Sequence, residues 1–199
     1  MKIGIYGGAF NPPHKMHKNI VSSLIKKKYI DKAIVVPVSD DYTKKDLLCG
    51  KDRLAMLNSM FKNNKNVNVS SFEIDGSLYT INTLNYFKGQ YPKADIYFIL
   101  GTDNLSEFFK WKKYEEILKN FKLLVVSRDG SDFKKELEKF KKFEDRIILA
   151  QIKPNSISST IVREEIIKRG YTENLKRYLY VDTIKYLKKI NARAFWKNS

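Results

Sequence analysis

The chain has 199 residues, of which 43% are hydrophobic and 30% are charged, with only five prolines and nine glycines. This length and composition predict one globular domain over residues 1–199 and exclude a disordered or fibrous chain. No stretch approaches the ~20 consecutive apolar residues of a membrane span, so we expect a cytoplasmic protein. The single cysteine, Cys49, excludes an internal disulfide and a cysteine-based metal cluster.

The net charge of +16 arises from 38 Lys and Arg residues against 22 Asp and Glu residues. Such an excess attracts phosphates, nucleotides or nucleic acids without choosing among them. The lysines are scattered along the chain, and aromatic residues are not interleaved with them in an RNA-binding motif. We therefore favour a generally lysine-rich surface, with a nucleic-acid-binding module as the alternative hypothesis.

Apolar runs and helix-like segments alternate along the whole chain. Buried strands are predicted at 2–6, 33–38, 67–70, 95–101, 122–127 and 146–152. Helices are predicted at 17–28, 51–62, 80–90, 111–119, 131–142, 159–169 and 181–189. This alternation predicts an α/β fold, a doubly wound parallel sheet with C-terminal helices. Such sheets bind ligands beyond the carboxyl ends of their strands, so the residues after each strand are the candidates.

The first predicted strand runs into Gly7 and Gly8, and two histidines, His14 and His17, follow at the predicted start of a helix. Adjacent glycines predict a positive-φ backbone that approaches a ligand closely. A helix N-terminus favours anions. The alternative is a tight turn whose histidines only cap or pack. Both histidines of the chain fall in this loop, which favours a phosphate-binding function.

A second polar cluster begins the helix predicted at 159–169. Ser158 or Ser159 is placed to cap this helix, which by itself would account for the serines. Capping does not account for Arg163, which shares a helix face with Ser159 and Thr160 at a spacing of four and three residues. We therefore expect a second phosphate-binding group here.

These two segments resemble the paired signatures of the nucleotidyltransferase superfamily. Residues 8–17 follow its G-x-F-x-P-x-H-x-G-H motif except at Met16, where glycine is usual, and residues 157–163 are similar to its I-S-S-T-x-I-R motif. The resemblance implies a Rossmann-like fold and in-line attack of a substrate phosphate on the α-phosphate of ATP, which releases pyrophosphate. Such a reaction depends on positioning and charge stabilisation, not on a side-chain nucleophile.

The resemblance also implies roles at the ATP end of the site. The catalytic residues would be His14, His17 and Arg163, with the histidines donating hydrogen bonds to phosphate oxygens. Nearby phosphate favours the charged form of histidine. Arg163 would hold the β- and γ-phosphates. The ATP-binding residues would be Gly7, Gly8, Ala9, Phe10, Gly101, Asp103, Ser159 and Thr160. Mg²⁺ would be bound through the ATP phosphates, without metal ligands from the protein.

Internal segments are similar to the nicotinate mononucleotide adenylyltransferases of NAD synthesis. Residues 77–84 resemble their S-Y-T-x-D-T-L run, with Asn82 in place of the usual Asp, and residues 101–111 resemble their G-x-D-x-L…K-W pattern. The resemblance implies that the acceptor is bound by Tyr79, Thr80, Trp111 and Lys112. Trp111 would stack on the pyridine ring, and core packing is the alternative for this side chain.

Residues 36–47 resemble a loop in which a lysine contacts a nucleotide phosphate. Lys44 or Lys45 would do so here, and the sequence does not choose between them. Arg53 could also reach the site, although a solvated arginine in the first turn of its helix is the more ordinary interpretation.

The resemblance as a whole implies transfer of AMP from ATP to nicotinate mononucleotide. Nicotinamide mononucleotide is an alternative acceptor. The choice between the acid and the amide would depend on backbone N–H groups near Thr80 and Lys112, and side-chain identity does not report on backbone donors. Pantetheine-phosphate adenylyltransferase shares both end motifs, but Tyr79-Thr80 and Lys110-Trp111 argue against it. The expected partners are ATP and a pyridine mononucleotide, with no specific nucleic acid and no membrane. The sequence leaves the oligomeric state open.

Overall fold

The structure, a computed structural model, describes residues 1–42, 46–76, 79–127, 133–152 and 157–199. Its strands are β1 (Lys2–Gly8), β2 (Lys32–Pro37), β3 (Val67–Val69), β4 (Asp95–Gly101), β5 (Lys122–Val126) and β6 (Ile147–Ala150). Its α-helices are α1 (Lys15–Lys26), α2 (Gly50–Phe61), α3 (Thr80–Gln90), α4 (Thr102–Leu105), α5 (Tyr114–Asn120), α6 (Phe133–Glu138), α7 (Ser159–Arg169), α8 (Val181–Lys189) and α9 (Ala192–Lys197). Short 3-10 turns lie at Phe108–Lys110, Lys141–Arg146 and Glu173–Arg177.

The strands within the described ranges form one parallel sheet in the order β3-β2-β1-β4-β5-β6. Ile5 of the central strand β1 lies opposite Ile34 of β2 on one side and opposite Phe98 of β4 on the other. The chain builds outward from β1 to β3 and then returns to build outward from β4, so strand order reverses between β1 and β4. The predicted doubly wound parallel sheet is confirmed. This reversal places the expected ligand crevice beyond the carboxyl ends of β1 and β4.

Apolar residues cover both faces of the sheet. On one face Ile3 and Ile5 pack with residues of α3 and α5, including Ile81, Leu84, Phe87, Ile117 and Leu118. On the other face Tyr6 and Val35 pack with residues of α1 and α2, including Ile20, Val21, Leu24, Leu57 and Met60. Parallel strands buried on both sides have near-continuous apolar sequences, which is why the strands could be recognised from the sequence.

The C-terminal helices form a third apolar cluster beside the sheet. It joins α7, α8 and α9 to α2 through Val162, Leu187, Trp196 and Met56, and it also includes Leu48. Trp196 is 5% exposed. The last helix of the chain is therefore packed against the segment that precedes α2. Within the described ranges, no helix combines the length and the apolarity that a membrane crossing requires.

Some element boundaries differ from the predictions. Helix α1 begins at Lys15, two residues before the predicted start. Helix α5 begins at Tyr114 and not at Trp111, because Lys113 adopts a left-handed conformation with φ of 58°. The single helix predicted at 131–142 is α6 followed by a 3-10 turn in its described part. The short helices α4 and α9 were not predicted, since neither is long enough to show helical periodicity.

Candidate active site

A cleft of about 670 Å³ opens beyond the carboxyl ends of β1 and β4. Its size lies in the usual range for a small-molecule site. Every predicted site residue in the described ranges lines this cleft: Gly7, Gly8, Ala9, Phe10, His14, His17, Tyr79, Thr80, Gly101, Asp103, Trp111, Lys112, Ser159, Thr160 and Arg163. Lys44 and Lys45 lie outside the described residues. The structure therefore brings the two end motifs and the internal segments together, and the roles of the individual residues stay predictions.

The two histidines form a packed pair at the start of α1. Their rings stack with centroids 3.6 Å apart, and the His14 backbone N–H donates to His17 Nδ1 at 3.0 Å. Because Nδ1 accepts this bond, a neutral His17 carries its proton on Nε2. Phe10 packs edge-on against the His17 ring at 4.9 Å. His17 is thus held as a hydrogen-bond donor at a helix N-terminus whose first turn has no acidic residue.

The glycine loop differs from its prediction. Gly7 and Gly8 belong to β1 and do not have positive φ, so the prediction of a positive-φ backbone at these glycines is wrong. The left-handed residue is Phe10, with φ of 48°. A Cβ at Gly8 would lie 3.2 Å from the Phe10 ring. The missing side chain at Gly8 therefore lets Phe10 fold back beneath the loop, where it supports His17.

The second motif contacts the first one directly. Ser158 caps α7 by accepting a hydrogen bond from the Ile161 N–H at 3.2 Å, so the capping interpretation is correct for Ser158. Ser159 has a different partner, because its hydroxyl donates to the Pro12 carbonyl at 3.0 Å. Arg163 donates to the Asn11 carbonyl at 2.8 Å and lies 3.4 Å from Thr160 Oγ1. Residues more than 140 positions apart thus form one wall of the cleft.

The opposite end of the cleft is aromatic. Trp111 packs against Phe98 and Phe108, with ring centroids 5.8 and 5.2 Å apart, and it also lines the cleft. The core-packing alternative is therefore correct for the part of the Trp111 ring that contacts Phe98 and Phe108. Stacking of the part that lines the cleft on a ligand stays a prediction. Lys112 Nζ lies 4.0 Å from the centroid of the Tyr79 ring, a cation–π contact. Together these side chains offer a flat apolar surface beside a positive charge.

The N-terminus of α3 lies at this aromatic end. Its cap residue, Tyr79, makes no side-chain capping bond, and its first turn has no acidic residue. Asn82 is exposed and does not line the cleft. The positive end of the helix dipole is therefore available to an anion in the cleft.

Glu73 is a cleft residue that the sequence did not reveal. Its side chain is 9% exposed, and Oε1 accepts a hydrogen bond from Thr83 Oγ1 at 2.6 Å. Burial raises the pKa of Glu73 to about 7, and the bond from Thr83 partly opposes that rise. Glu73 follows β3 by four residues, so a closer inspection of the segments after each strand would have found it. Asn11, Ser39, Tyr42, Asn104 and Glu107 also line the cleft.

Arg53 supports the cleft from behind. The interpretation as a solvated arginine is wrong, because its side chain is fully buried. Nε donates to the Leu48 carbonyl at 2.7 Å, and the terminal nitrogens donate to the carbonyls of Ala9 and Val38 and to Asp40. A guanidinium has five donors in a fixed plane, which suits it to joining three chain segments at once. Arg53 therefore fixes the glycine loop to the end of β2.

The donor groups of the cleft suit phosphate better than a protein-bound metal. Among the described residues, no group of three or more His, Cys, Asp or Glu side chains is arranged to hold a metal ion. A doubly wound sheet whose crevice joins a histidine pair, an arginine and two helix N-termini belongs to the class of α/β proteins that bind nucleotides.

Comparison with known proteins agrees with this class. The family model described as cytidylyltransferase-like matches residues 5–165. The chain is 38% identical over 172 residues to a Caldicellulosiruptor bescii protein named "Probable nicotinate-nucleotide adenylyltransferase", and the match covers 83% of this chain and 87% of that one. A Clostridium acetobutylicum protein of the same name is 34% identical over 192 residues, or 92% of this chain and 96% of its own.

A solved structure has the same fold. Nicotinic acid mononucleotide adenylyltransferase of Plasmodium falciparum, complexed with NaAD, superposes with a TM-score of 0.83 over 98% of each chain at 24% sequence identity. The family model and the two relatives show that the chain belongs to the cytidylyltransferase-like family and, within it, to the nicotinate-nucleotide adenylyltransferases.

Proposed function

We propose that the protein transfers AMP from ATP to nicotinate mononucleotide, forming nicotinate adenine dinucleotide and releasing pyrophosphate. The observation that carries this proposal is the direct junction of the two end motifs through Ser159 with Pro12 and Arg163 with Asn11. The names of the relatives at 38% and 34% identity support the same reaction. The reaction needs two polyanions held in line, and the cleft is built from anion-binding groups.

At the ATP end, His17 and Arg163 stabilise the charge that develops on the phosphates. His17 donates through Nε2, since its Nδ1 already accepts the His14 N–H. Arg163 is anchored by the Asn11 carbonyl, so its guanidinium is oriented before ATP binds. Donors that are fixed before the reaction need no reorganisation in the transition state, which is the main source of catalysis in such sites.

At the acceptor end, the nicotinate carboxylate is recognised by positive groups. Helix α3 has Tyr79 as its cap residue, which makes no side-chain capping bond, and the ammonium of Lys112 lies over the Tyr79 ring. A carboxylate gains more from a helix dipole and an ammonium than a neutral carboxamide does. This arrangement favours nicotinate mononucleotide over nicotinamide mononucleotide. Trp111 offers its ring to the pyridine.

Mg²⁺ fits this site as a partner of the triphosphate, since no group of three or more His, Cys, Asp or Glu side chains among the described residues is arranged to hold it alone. Magnesium is commonly held by substrate phosphates, waters and one or two carboxylates, and within the described ranges the carboxylates that line the cleft are Glu73, Asp103 and Glu107. When bound, the ion neutralises part of the phosphate charge. The protein's own residues orient the two substrates.

The test is a steady-state assay of pyrophosphate release with Mg²⁺ and ATP. Nicotinate mononucleotide, nicotinamide mononucleotide and phosphopantetheine are compared as acceptors, and we expect the highest kcat/KM for nicotinate mononucleotide. His17→Ala should lower kcat/KM by ~10²-fold or more, as expected for loss of one preorganised donor. No release with either pyridine nucleotide would refute the proposed function. A loss below about threefold would remove His17 from the mechanism.

A further inference from the structure

Arg163 is held by a residue that precedes α2. One of its terminal nitrogens lies 2.6 Å from Asp46 Oδ2, and the other donates to the Asn11 carbonyl at 2.8 Å. Arg163 is 18% exposed in its side chain, and Asp46 is 34% exposed. Both terminal nitrogens of the guanidinium are therefore fixed by the protein, one of them with a further contact to Thr160 Oγ1, and Arg163 also lines the cleft.

The backbone of Asp46 is fixed in turn by two side chains. Its carbonyl accepts from Asn11 Nδ2 at 2.7 Å and from Trp196 Nε1 at 3.1 Å. Asn11 Oδ1 also accepts from the Leu48 N–H at 3.0 Å. Asn11 thus bridges both sides of this short segment. Trp196 is the single group of α9 with a side-chain hydrogen bond to it among the described residues.

The ring of Trp196 is buried in the C-terminal apolar cluster. It is 5% exposed and packs in the apolar cluster that includes Leu48, Met56 and Val162. The indole N–H is a donor only, and leaving it unbonded in the buried cluster would cost free energy, so a buried indole usually has a hydrogen-bond partner. The bond to Asp46 meets that requirement. A chain of direct contacts therefore runs from α9 through the Asp46 backbone and carboxylate to Arg163.

We propose that Asp46 and Trp196 are positioning residues for Arg163, so that the last helix of the chain sets the geometry of the ATP phosphate clamp. This inference rests on the proposed function in assigning Arg163 to the triphosphate. Asp46 acts through its carboxylate, and Trp196 acts through the main-chain carbonyl of Asp46. A misplacement of Arg163 weakens contacts with ATP and leaves the acceptor end of the cleft unchanged.

Single and double variants test this relay. Asp46→Ala removes the carboxylate and leaves the main-chain carbonyl, whereas Trp196→Phe removes the N–H and keeps an aromatic ring in the cluster. We expect kcat/KM for ATP to fall by about 10-fold or more in Asp46→Ala and by roughly 3- to 10-fold in Trp196→Phe. KM for nicotinate mononucleotide should change by less than about twofold. The double variant should be no worse than Asp46→Ala alone, because Trp196 acts through Asp46.

Tyr171→Phe is the matched control for Trp196→Phe. The Tyr171 hydroxyl donates to the Leu187 carbonyl and accepts from the Arg193 N–H, at 2.8 and 3.2 Å. It thus bonds within the same C-terminal cluster without contacting Asp46. The Tyr171→Phe variant should lower the melting temperature as Trp196→Phe does and leave kcat/KM for ATP unchanged.

Several outcomes would overturn the proposal. One is a fall in kcat/KM for ATP in the double variant that equals the product of the two single effects, and another is an equal fall in the Tyr171→Phe control. A third is tighter ATP binding in Asp46→Ala, which would make Asp46 a competitor of the triphosphate for Arg163. Binding of MgATP is also measured by calorimetry without an acceptor. Weaker binding in both single variants would support the relay even if wild-type protein released no pyrophosphate, so the two proposals fail separately.

Discussion

Replacing Glu73 by glutamine should stabilise the protein at neutral and alkaline pH and change its stability little at pH 4.5. Burial raises the pKa of Glu73 from its ordinary value of 4.5 to about 7. Between these values the folded protein holds a proton that the unfolded chain has lost. The stability that Glu73 contributes is therefore fully present below pH 4.5 and is lost as the pH rises to about 7.

The size of this loss follows from the two pKa values. Each pH unit between them corresponds to about 1.4 kcal/mol, so the ionised carboxylate costs up to about 3 kcal/mol above pH 7. Glutamine keeps an oxygen that can accept the Thr83 hydroxyl and has no charge to desolvate. For a chain of this length, 3 kcal/mol corresponds to a rise of roughly 6 to 12 °C in melting temperature.

The assay is urea unfolding of wild type and Glu73→Gln across this pH range. The difference in free energy of unfolding should be near zero at pH 4.5, grow through pH 6 and level off above pH 7. Glu138→Gln, at an exposed position of α6, is the control and should show no such rise. A difference that is independent of pH, or that grows toward acid, would refute the assignment of a buried carboxyl that resists ionisation.

Three further predictions concern the sheet, the support of the glycine loop and the acceptor end of the cleft. Gly4→Ala should lower the free energy of unfolding, measured with urea, by about 1 to 3 kcal/mol, because the new Cβ would lie 2.7 Å from Ile99 Cδ1. Gly89→Ala is the control: its new Cβ would have no atom within 4 Å, and it should stabilise α3 by up to about 1 kcal/mol. Arg53→Met should lower the free energy of unfolding by about 3 kcal/mol or more, since three carbonyls and Asp40 lose their donor; a change below about 1 kcal/mol would contradict this role. Trp111→Leu should raise KM for nicotinate mononucleotide far more than KM for ATP in steady-state kinetics, and an equal rise in both would argue against a pyridine-specific contact.

The sequence predicted the features that depend on local pattern. Strands buried on both faces are visible in the sequence as apolar runs. The histidine pair and the Ser-Ser-Thr…Arg segment are short motifs, so they can be recognised without knowledge of the tertiary structure. Where backbone geometry depended on distant contacts, the prediction failed. Gly8 was expected to supply a positive φ, yet its role is to leave room for the Phe10 ring.

Supporting residues were the least predictable part of the site. From the sequence, Arg53 looks like an ordinary arginine in the first turn of a helix. Only the tertiary structure shows that it donates hydrogen bonds to three separate carbonyls. The bond from Trp196 to Asp46 spans 150 positions, for which neither residue carries a local signal. Glu73 likewise acquires its raised pKa from burial that no sequence pattern reports.

The wall formed by Ser159 with Pro12 and Arg163 with Asn11 also makes activity a late product of synthesis. Strands β1 to β6 are all translated before α7, so a growing chain can build its sheet while the cleft still lacks one side. The cleft is therefore complete only once α7 has been synthesised and has docked on the loop that follows β1.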